Sequence, residues 1–379
     1  MTSLRTNLIV SARAAASYLI PKTLSLLKKG MTKMKREWDW SLADLSSIPK
    51  NGRRVFSCFS CGGGSTMGYK LAGYEMLGNV EIDPQMMALY KRNHKPRFPF
   101  QIPIQEFKVI PDDQLPAELF DLDILDGSPP CSVFSTAGKR EKKWGKEHHF
   151  REGQAKQKLD DLFFDFLDVV EKLRPRVVVA ENVRGMVIGL AKGYVALVKK
   201  RFEELGYKAQ LFLLNSATMG VPQKRERIFF IAHRRDLKLP KLALQFQGQP
   251  VLYKEIRSGR GKPLDRNGTT FKRWLQRRPS DCSFGDITER VEGKESNFNT
   301  IIIHDERVPN TIASNSWFVR YDEPYFISDT DIIRIQTFPR DYDFMGADVQ
   351  YVCGMSVPPM MMKKIAKQIY QQWFAKLPI

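Results

Sequence analysis

The run Arg176–Glu181, RVVVAE, constrains the fold more than any other stretch of this chain. Continuous valine and alanine suit a strand covered on both faces, and such strands belong to the interior of a parallel sheet. Comparable segments alternate with helical patterns up to Ala232. Val55–Phe59 reads as a strand, Thr66–Ala72 as a helix, Glu75–Glu81 as a second strand, and Pro84 opens a helix reaching about Asn93. A short apolar strand follows at Leu122, Ile124 and Leu125. The segment Lys158–Leu173 places Leu159, Leu162, Phe163, Phe166, Leu167 and Val170 on one helical face. Helix Tyr194–Leu205 and strands Tyr207–Leu214 and Ile228–Ala232 complete the series, and Pro358–Trp373 returns to helical periodicity. Repeated strand–helix units of this kind predict a doubly wound α/β domain with a mostly parallel sheet.

A chain of 379 residues can hold one large domain and a smaller one. The formal charge of +18 points to a polyanionic partner, nucleic acid by default. Residues 1–36 carry eight Lys or Arg and no acid. They read as a transit-peptide mimic, a loosely attached basic arm, or translation from an early start ahead of Met31 and Met34; a dispensable extension is expected. No apolar run approaches the ~18 residues of a membrane span, so no membrane partner and a cytoplasmic location are expected. Five cysteines without a regular framework suit a reducing compartment. Residues 233–279 hold thirteen Lys or Arg against three acids, with few helical periods. Tyr253, Arg257, Arg260, Phe271, Arg273, Trp274, Arg277 and Arg278 interleave charge and aromatic rings there, which favours a binding surface over a merely solvated face.

Three constellations bear chemistry. In Leu122–Ser135, LDILDGSPPCSVFS, Gly127, Pro129 and Pro130 stop a strand sharply and set Cys131 at the tip of a stiff turn, where α/β sheets bind ligands. A free cysteine is ordinarily a small core residue, but a core residue has no need of two prolines before it; Cys131 is the candidate nucleophile. Phe59-Ser60-Cys61-Gly62-Gly63-Gly64 runs from a strand into a glycine turn before a helix, and Glu81 follows at the end of the next strand. That pairing suits backbone approach to an adenosine-containing cofactor, with the acid on ribose hydroxyls. Cys58 and Cys61 also form a C-x-x-C, for which redox use is the weaker reading and zinc lacks a second ligand pair. Glu181 ends the valine strand, where a partly desolvated carboxyl can donate a proton. Arg225 and Arg227, in Gln223-Lys224-Arg225-Glu226-Arg227, are donors in search of a carboxylate, carbonyl or phosphate.

In this order, these segments and the terminal Gly354-x-Ser356-Val357-Pro358-Pro359 resemble the DNA cytosine-C5 methyltransferases from about Phe56 to Ile369. The resemblance implies S-adenosylmethionine as cofactor, held by Phe59, Ser60, Cys61, Gly62, Gly63, Gly64, Glu81, Ile82, Pro129 and Ser356, and no metal. It implies double-stranded DNA as substrate, with a cytosine flipped from the helix. Cys131 would attack C6, Glu181 would meet N3, and Arg225 and Arg227 would steady the base and loop. The basic stretch after Cys131, with Ser135, Lys139 and Arg140, resembles the family's mobile loop. Arg273, Arg277 and Arg278 would meet phosphates. The implied division is residues 37–232 with 350–379 as catalytic domain and 233–349 as target-recognition domain, 233–303 being its variable part. A monomer on DNA is expected, acting either beside a separate cognate restriction endonuclease or as a solitary or phage-borne modifier. A tRNA-methylating enzyme and a non-catalytic nucleic-acid-binding regulator are the alternatives. Three positions depart from the family pattern: Cys61 replaces a glycine, Pro103-Ile104-Gln105 stands where an acid is usual, and Met355 replaces asparagine.

Overall fold

The computed structural model describes residues 36–130, 162–187, 192–294 and 300–378, with the backbone of 147–148 and 157–158. The compact unit considered below is Trp38–Ile379; Met1–Glu37 is a separate unit.

The first half alternates as expected. β1 (Arg54–Cys58) leads through the glycine turn to α1 (Gly64–Leu71), then β2 (Glu75–Val80), α2 (Pro84–His94), β3 (Phe98–Phe100), the short α3 (Ile104–Phe107) and β4 (Ile124–Gly127). Asp83 caps α2 by accepting from the Gln85 and Met86 N–H groups, and Pro84 occupies the first turn, where no backbone donor is required. β5 (Glu147–His148) and β6 (Gln157–Lys158) pair antiparallel, so the helix expected from Lys158 begins later, as α4 (Leu162–Leu173). β7 (Val177–Val183), α5 (Lys192–Glu204), β8 (Tyr207–Asn215) and β9 (Glu226–Arg234) follow.

The sheet order is β3-β2-β1-β4-β7-β9-β8. Six strands run in one direction; β9 alone is reversed, pairing antiparallel with both β7 and β8. β3 has little pattern of its own, and Pro99 within it is tolerated because the strand lies at the sheet edge. Alternation of side chains sends Val55, Ile124, Val177, Val179, Phe229 and Ile231 into one core, with α1 and the last long helix. Phe56, Leu125, Val178, Ala180, Ile228 and Phe230 enter the other, under α4 and α5. This double burial is what the unbroken valine run required.

From β1 the chain goes outward to β2 and β3, then returns to place β4 on β1's other side. The carboxyl ends of β1 and β4 therefore flank the point where strand order reverses, and a crevice opens there. The glycine turn and the Pro129-Pro130 turn meet across it.

Beyond β9 the basic segment is less structureless than its sequence suggests. It contains α6 (Tyr253–Ile256), α7 (Thr269–Leu275) and α8 (Phe284–Glu292), followed by β10 (Thr300–Ile303) and β11 (Trp317–Arg320), a parallel pair. Leu264, Trp274, Phe284, Ile287, Ile302 and Val319 form a small core of their own. Leu239, Leu242, Tyr253 and Ile256 instead join the first main core. α9 (Asp329–Ile335), α10 (Val349–Met355) and α11 (Pro359–Gln372) bring the chain back against α1.

Candidate active site

The glycine turn is held in a conformation that its sequence only half favours. Phe59 and Cys61 adopt φ of 56° and 46°, left-handed values that cost a side chain about 1–2 kcal/mol each. Gly63, at φ 81°, has no such cost, and a β-carbon there would lie 2.1 Å from His94 Nε2. At Gly64 the same atom would fall 2.1 Å from the Val357 carbonyl oxygen. The two glycines thus let the turn settle against α2 and the segment after α10.

Glu81 organises the turn. It accepts from the Cys61 N–H at 2.8 Å and from the Asp83 N–H at 3.0 Å. Burial raises its carboxyl above the usual range, and these backbone donors oppose the rise. Around it lies a largely apolar cleft lined by Phe59, Ile82, Met86, Ile102, Ile104 and Met355, with Cys61, Ser128 and Pro130 at its rim. Glu81, Ile82, Phe59 and Cys61 thus gather as expected. Pro129 contributes differently: its neighbours Ser128 and Pro130 line the cleft, while its carbonyl accepts from Asn182 Nδ2 at 3.1 Å. Ile104 belongs to the stretch that stands where the family has an acid; Ile102, beside an edge strand, and Met86, on α2, escaped sequence reasoning because apolar residues in such places look like ordinary core.

A smaller polar recess adjoins the cleft, sharing Phe59, Cys61, Ser128 and Met355 with it. Ser57, Ser60, Gly64, Ser65, Asp126 and Ser356 complete its lining. Ser60 Oγ accepts from Asn79 Nδ2 at 2.8 Å, and Ser356 Oγ donates to the Val352 carbonyl at 2.8 Å. Gly62 offers its carbonyl to Tyr342 Oη at 2.8 Å. Cys58 and Cys61 are free thiols; burial pushes Cys61 up to about 12 and Cys58 higher still, which disfavours the thiolates that redox use would need.

One strand further along, Glu181 on β7 and Arg227 on β9 face each other across the antiparallel ladder. Arg227 Nε lies 3.1 Å from Glu181 Oε1, and Arg227 Nη1 donates to the Glu226 carbonyl. Burial lowers Arg227 from the usual arginine range and Glu181 opposes the fall. Arg225 takes another direction. Its guanidinium donates to the Ile312 carbonyl at 3.3 Å and the Gly354 carbonyl at 3.1 Å, and burial brings it down to about 9. Of the two arginines expected to steady base and loop, Arg227 is thus paired with Glu181, while Arg225 braces the return segments. Gln223 does the same, bonding Gln336 Oε1 at 2.7 Å and accepting from the Ile312 N–H at 3.1 Å.

Cys131, Ser135, Lys139 and Arg140 lie outside the described residues. Arg273, Arg277 and Arg278, expected to meet phosphates, differ in their surroundings within the protein. Arg273 is paired with Glu292 at 2.7 Å and with Thr288, and Arg277 lies over the Trp274 ring with its Nε on the Tyr321 carbonyl. Ring faces and a carboxylate close by are partners that the sequence could not place. Arg278 is exposed. Among the described residues no cluster could hold a metal ion, and no helix is long and apolar enough to cross a membrane.

Comparison with known proteins agrees with this geometry. The model of the family described as C-5 cytosine-specific DNA methylase matches residues 53–371. Type II methyltransferase M1.HphI of Haemophilus parahaemolyticus is 26% identical over 329 residues, which are 82% of this chain and 85% of that protein. Type II methyltransferase M.Sau96I of Staphylococcus aureus is 30% identical over 358 residues, covering 86% of this chain and 78% of that one. The structure of Spodoptera frugiperda DNMT2 covers 84% of this chain and all of its own (100%) with a TM-score of 0.58 at 17% identity, a likeness of fold. With a match extending from Arg53, just ahead of β1, into α11, the chain belongs to the C-5 cytosine-specific DNA methylase family.

Proposed function

We propose that the protein methylates C5 of a cytosine flipped out of a specific duplex DNA site, through a covalent bond between Cys131 and C6. The observation that carries this reading is the convergence at one crevice of the Glu81 cleft, the Pro129-Pro130 turn leading to Cys131, and the Glu181–Arg227 pair. The residues around the cleft fit an adenosine-containing cofactor: a buried acid beside a glycine turn, whose close backbone approach a single β-carbon would block, and apolar walls for a ring. S-adenosylmethionine, when bound, supplies the methyl group.

The protein's own part follows from placement. Asn182 holds the Pro129 carbonyl, so the turn that carries Cys131 is tied to the same strand end as Glu181. Attack of the Cys131 thiolate on C6 pushes electrons into the ring, and a proton shared by Glu181 at N3 accommodates them. Arg227 orients Glu181. Once C5 carries the methyl, its proton leaves to solvent, the C5–C6 double bond reforms, and the thiolate is expelled. Residues 37–232 with 350–379 serve as the catalytic part and 233–349 as the target reader; Ser135, Lys139, Arg140 and Arg278 are DNA contacts. The enzyme acts as a monomer on DNA in the cytoplasm, as a solitary modifier or beside a cognate restriction endonuclease.

Cys131→Ser should abolish turnover and leave cofactor affinity within about twofold, since a neutral hydroxyl is far less nucleophilic than a thiolate. Duplex DNA bearing 5-fluorocytosine should trap wild type covalently and the variant not at all. Turnover within tenfold of wild type would end the covalent reading.

A further inference from the structure

Asp126 is an acid inside the buried strand β4, 2% exposed, and nothing in the chemistry above uses it. Ser57 Oγ donates to its Oδ2 at 2.9 Å and Tyr69 Oη to its Oδ1 at 3.2 Å. No basic side chain pairs with it among the described residues. It lies in the lining of the polar recess, beside Ser57, Ser60, Ser65 and Ser356 and next to Gly64 at the start of α1. A buried carboxyl with hydroxyl donors but no cation, facing a recess, is complementary to a cation brought in by a ligand.

The ligand's orientation follows from the two connected spaces. Glu81, at the end of β2, and the apolar cleft suit ribose hydroxyls and a purine. The other end of an elongated cofactor then reaches over the glycine turn into the recess. There the N–H groups opening α1 suit a carboxylate, and Asp126 is the acid on hand for an α-ammonium.

We propose that Asp126 binds the α-ammonium of the cofactor's amino-acid tail, making the polar recess the zwitterion-binding half of the cofactor site. This rests on S-adenosylmethionine being the cofactor. The groups facing Asp126 are Ser57 on β1, Ser65 and Tyr69 on α1, the Cys58 thiol on β1, Tyr90 on α2 and Glu181 on β7. Burial brings its carboxyl up to about 7, the hydroxyl donors Ser57, Tyr69 and Ser65 oppose the rise, and Glu181 adds to it. Binding of an ammonium favours the ionised form, so tail recognition weakens as pH falls through that region.

Calorimetry on the full chain tests this with three probes: S-adenosylmethionine and S-adenosylhomocysteine, which carry the ammonium, and 5′-methylthioadenosine, which lacks it. Asp126→Asn keeps the shape and removes the charge. It should weaken the first two by about tenfold or more and leave the third within about twofold. Equal loss for all three would assign Asp126 a merely structural role, and no loss for any would overturn the inference. Wild type that binds none of the three would instead defeat the cofactor reading itself. Should Asp126→Asn fail to fold, Tyr69→Phe removes one donor and leaves the acid. It should move the acid-side loss of S-adenosylmethionine affinity to higher pH without altering methylthioadenosine binding, and an unmoved profile would overturn the proposal.

Discussion

Cys61 shows how a departure from the family pattern is absorbed. Its left-handed backbone costs about 1–2 kcal/mol, whereas glycine there would add about 0.5–1 kcal/mol of chain entropy to be lost on folding. Its sulfur also touches Met86 Sδ at 3.6 Å. The terms nearly cancel, so Cys61→Gly should change stability by no more than about 1 kcal/mol in urea unfolding. A larger loss would mean the thiol packs the turn. His94, behind the same turn, gives a pH-dependent prediction. Its Nε2 donates to the Gly62 carbonyl at 3.2 Å, its Nδ1 has no partner, and burial drives the ring down to about 3. Between about 3 and 6.5 the unfolded chain binds the proton that the folded ring refuses. Stability from this group is therefore complete above about 6.5 and is lost as pH falls toward about 3. His94→Asn should flatten that limb of the thermal-stability profile; an unchanged acid limb would place the sensitivity elsewhere.

Elements are joined by a few buried charges. Arg53, just ahead of β1, is 2% exposed and pairs with Asp123 at 3.2 Å. It also donates to the carbonyls of Phe374, Leu377 and Pro378, and its guanidinium lies over the Phe374 ring. Removing it leaves Asp123 with Arg176 at 3.4 Å and the Arg54 N–H at 2.8 Å and strips three carbonyls of their donor, so Arg53→Ala should cost about 3 kcal/mol in chemical unfolding. A loss below about 1 kcal/mol would show that the contact is incidental. The strands were legible because burial on both faces leaves continuous apolar runs, and the glycine turn with its acid because glycine and Glu81 stand at readable intervals. Asp126 is plain in the sequence as an acid in a strand, but its hydroxyl partners Ser57 and Tyr69 are not. Arg225 and Arg227 look alike in sequence; only the pairing of β9 with β7 shows that the second faces Glu181 while the first points at Gly354. Likewise α7 and α8 are too short for their periodicity to stand out.

At the scale of the molecule, the segment proposed as target reader has a core that can be exchanged only within limits. Leu239, Leu242, Tyr253 and Ile256 belong to the main core, as do Ile303, Ile312 and Phe318 further on, whereas packing from Leu264 to Ile287 is largely local. Grafting residues 264–294 from a relative with a different target should change the methylated sequence in a cell's methylome and preserve folding. A graft beginning at residue 233 should reduce soluble yield, because it replaces four main-core side chains. Retention of the original target after the smaller graft would move specificity to the loop following Cys131.

The packing of α1 against α11 has a consequence for biosynthesis. Tyr74, at the foot of α1, completes its hydrogen bond with the Ala366 carbonyl 292 positions later. On the ribosome the apolar side of α1 must therefore wait uncovered for tens of seconds at ordinary elongation rates. Contacts so distant in sequence form slowly, and until then the nascent sheet carries an open core. A cell making this enzyme has to shield that face, and expression should respond to chaperone supply and slower, cooler synthesis more than to any change at the active crevice.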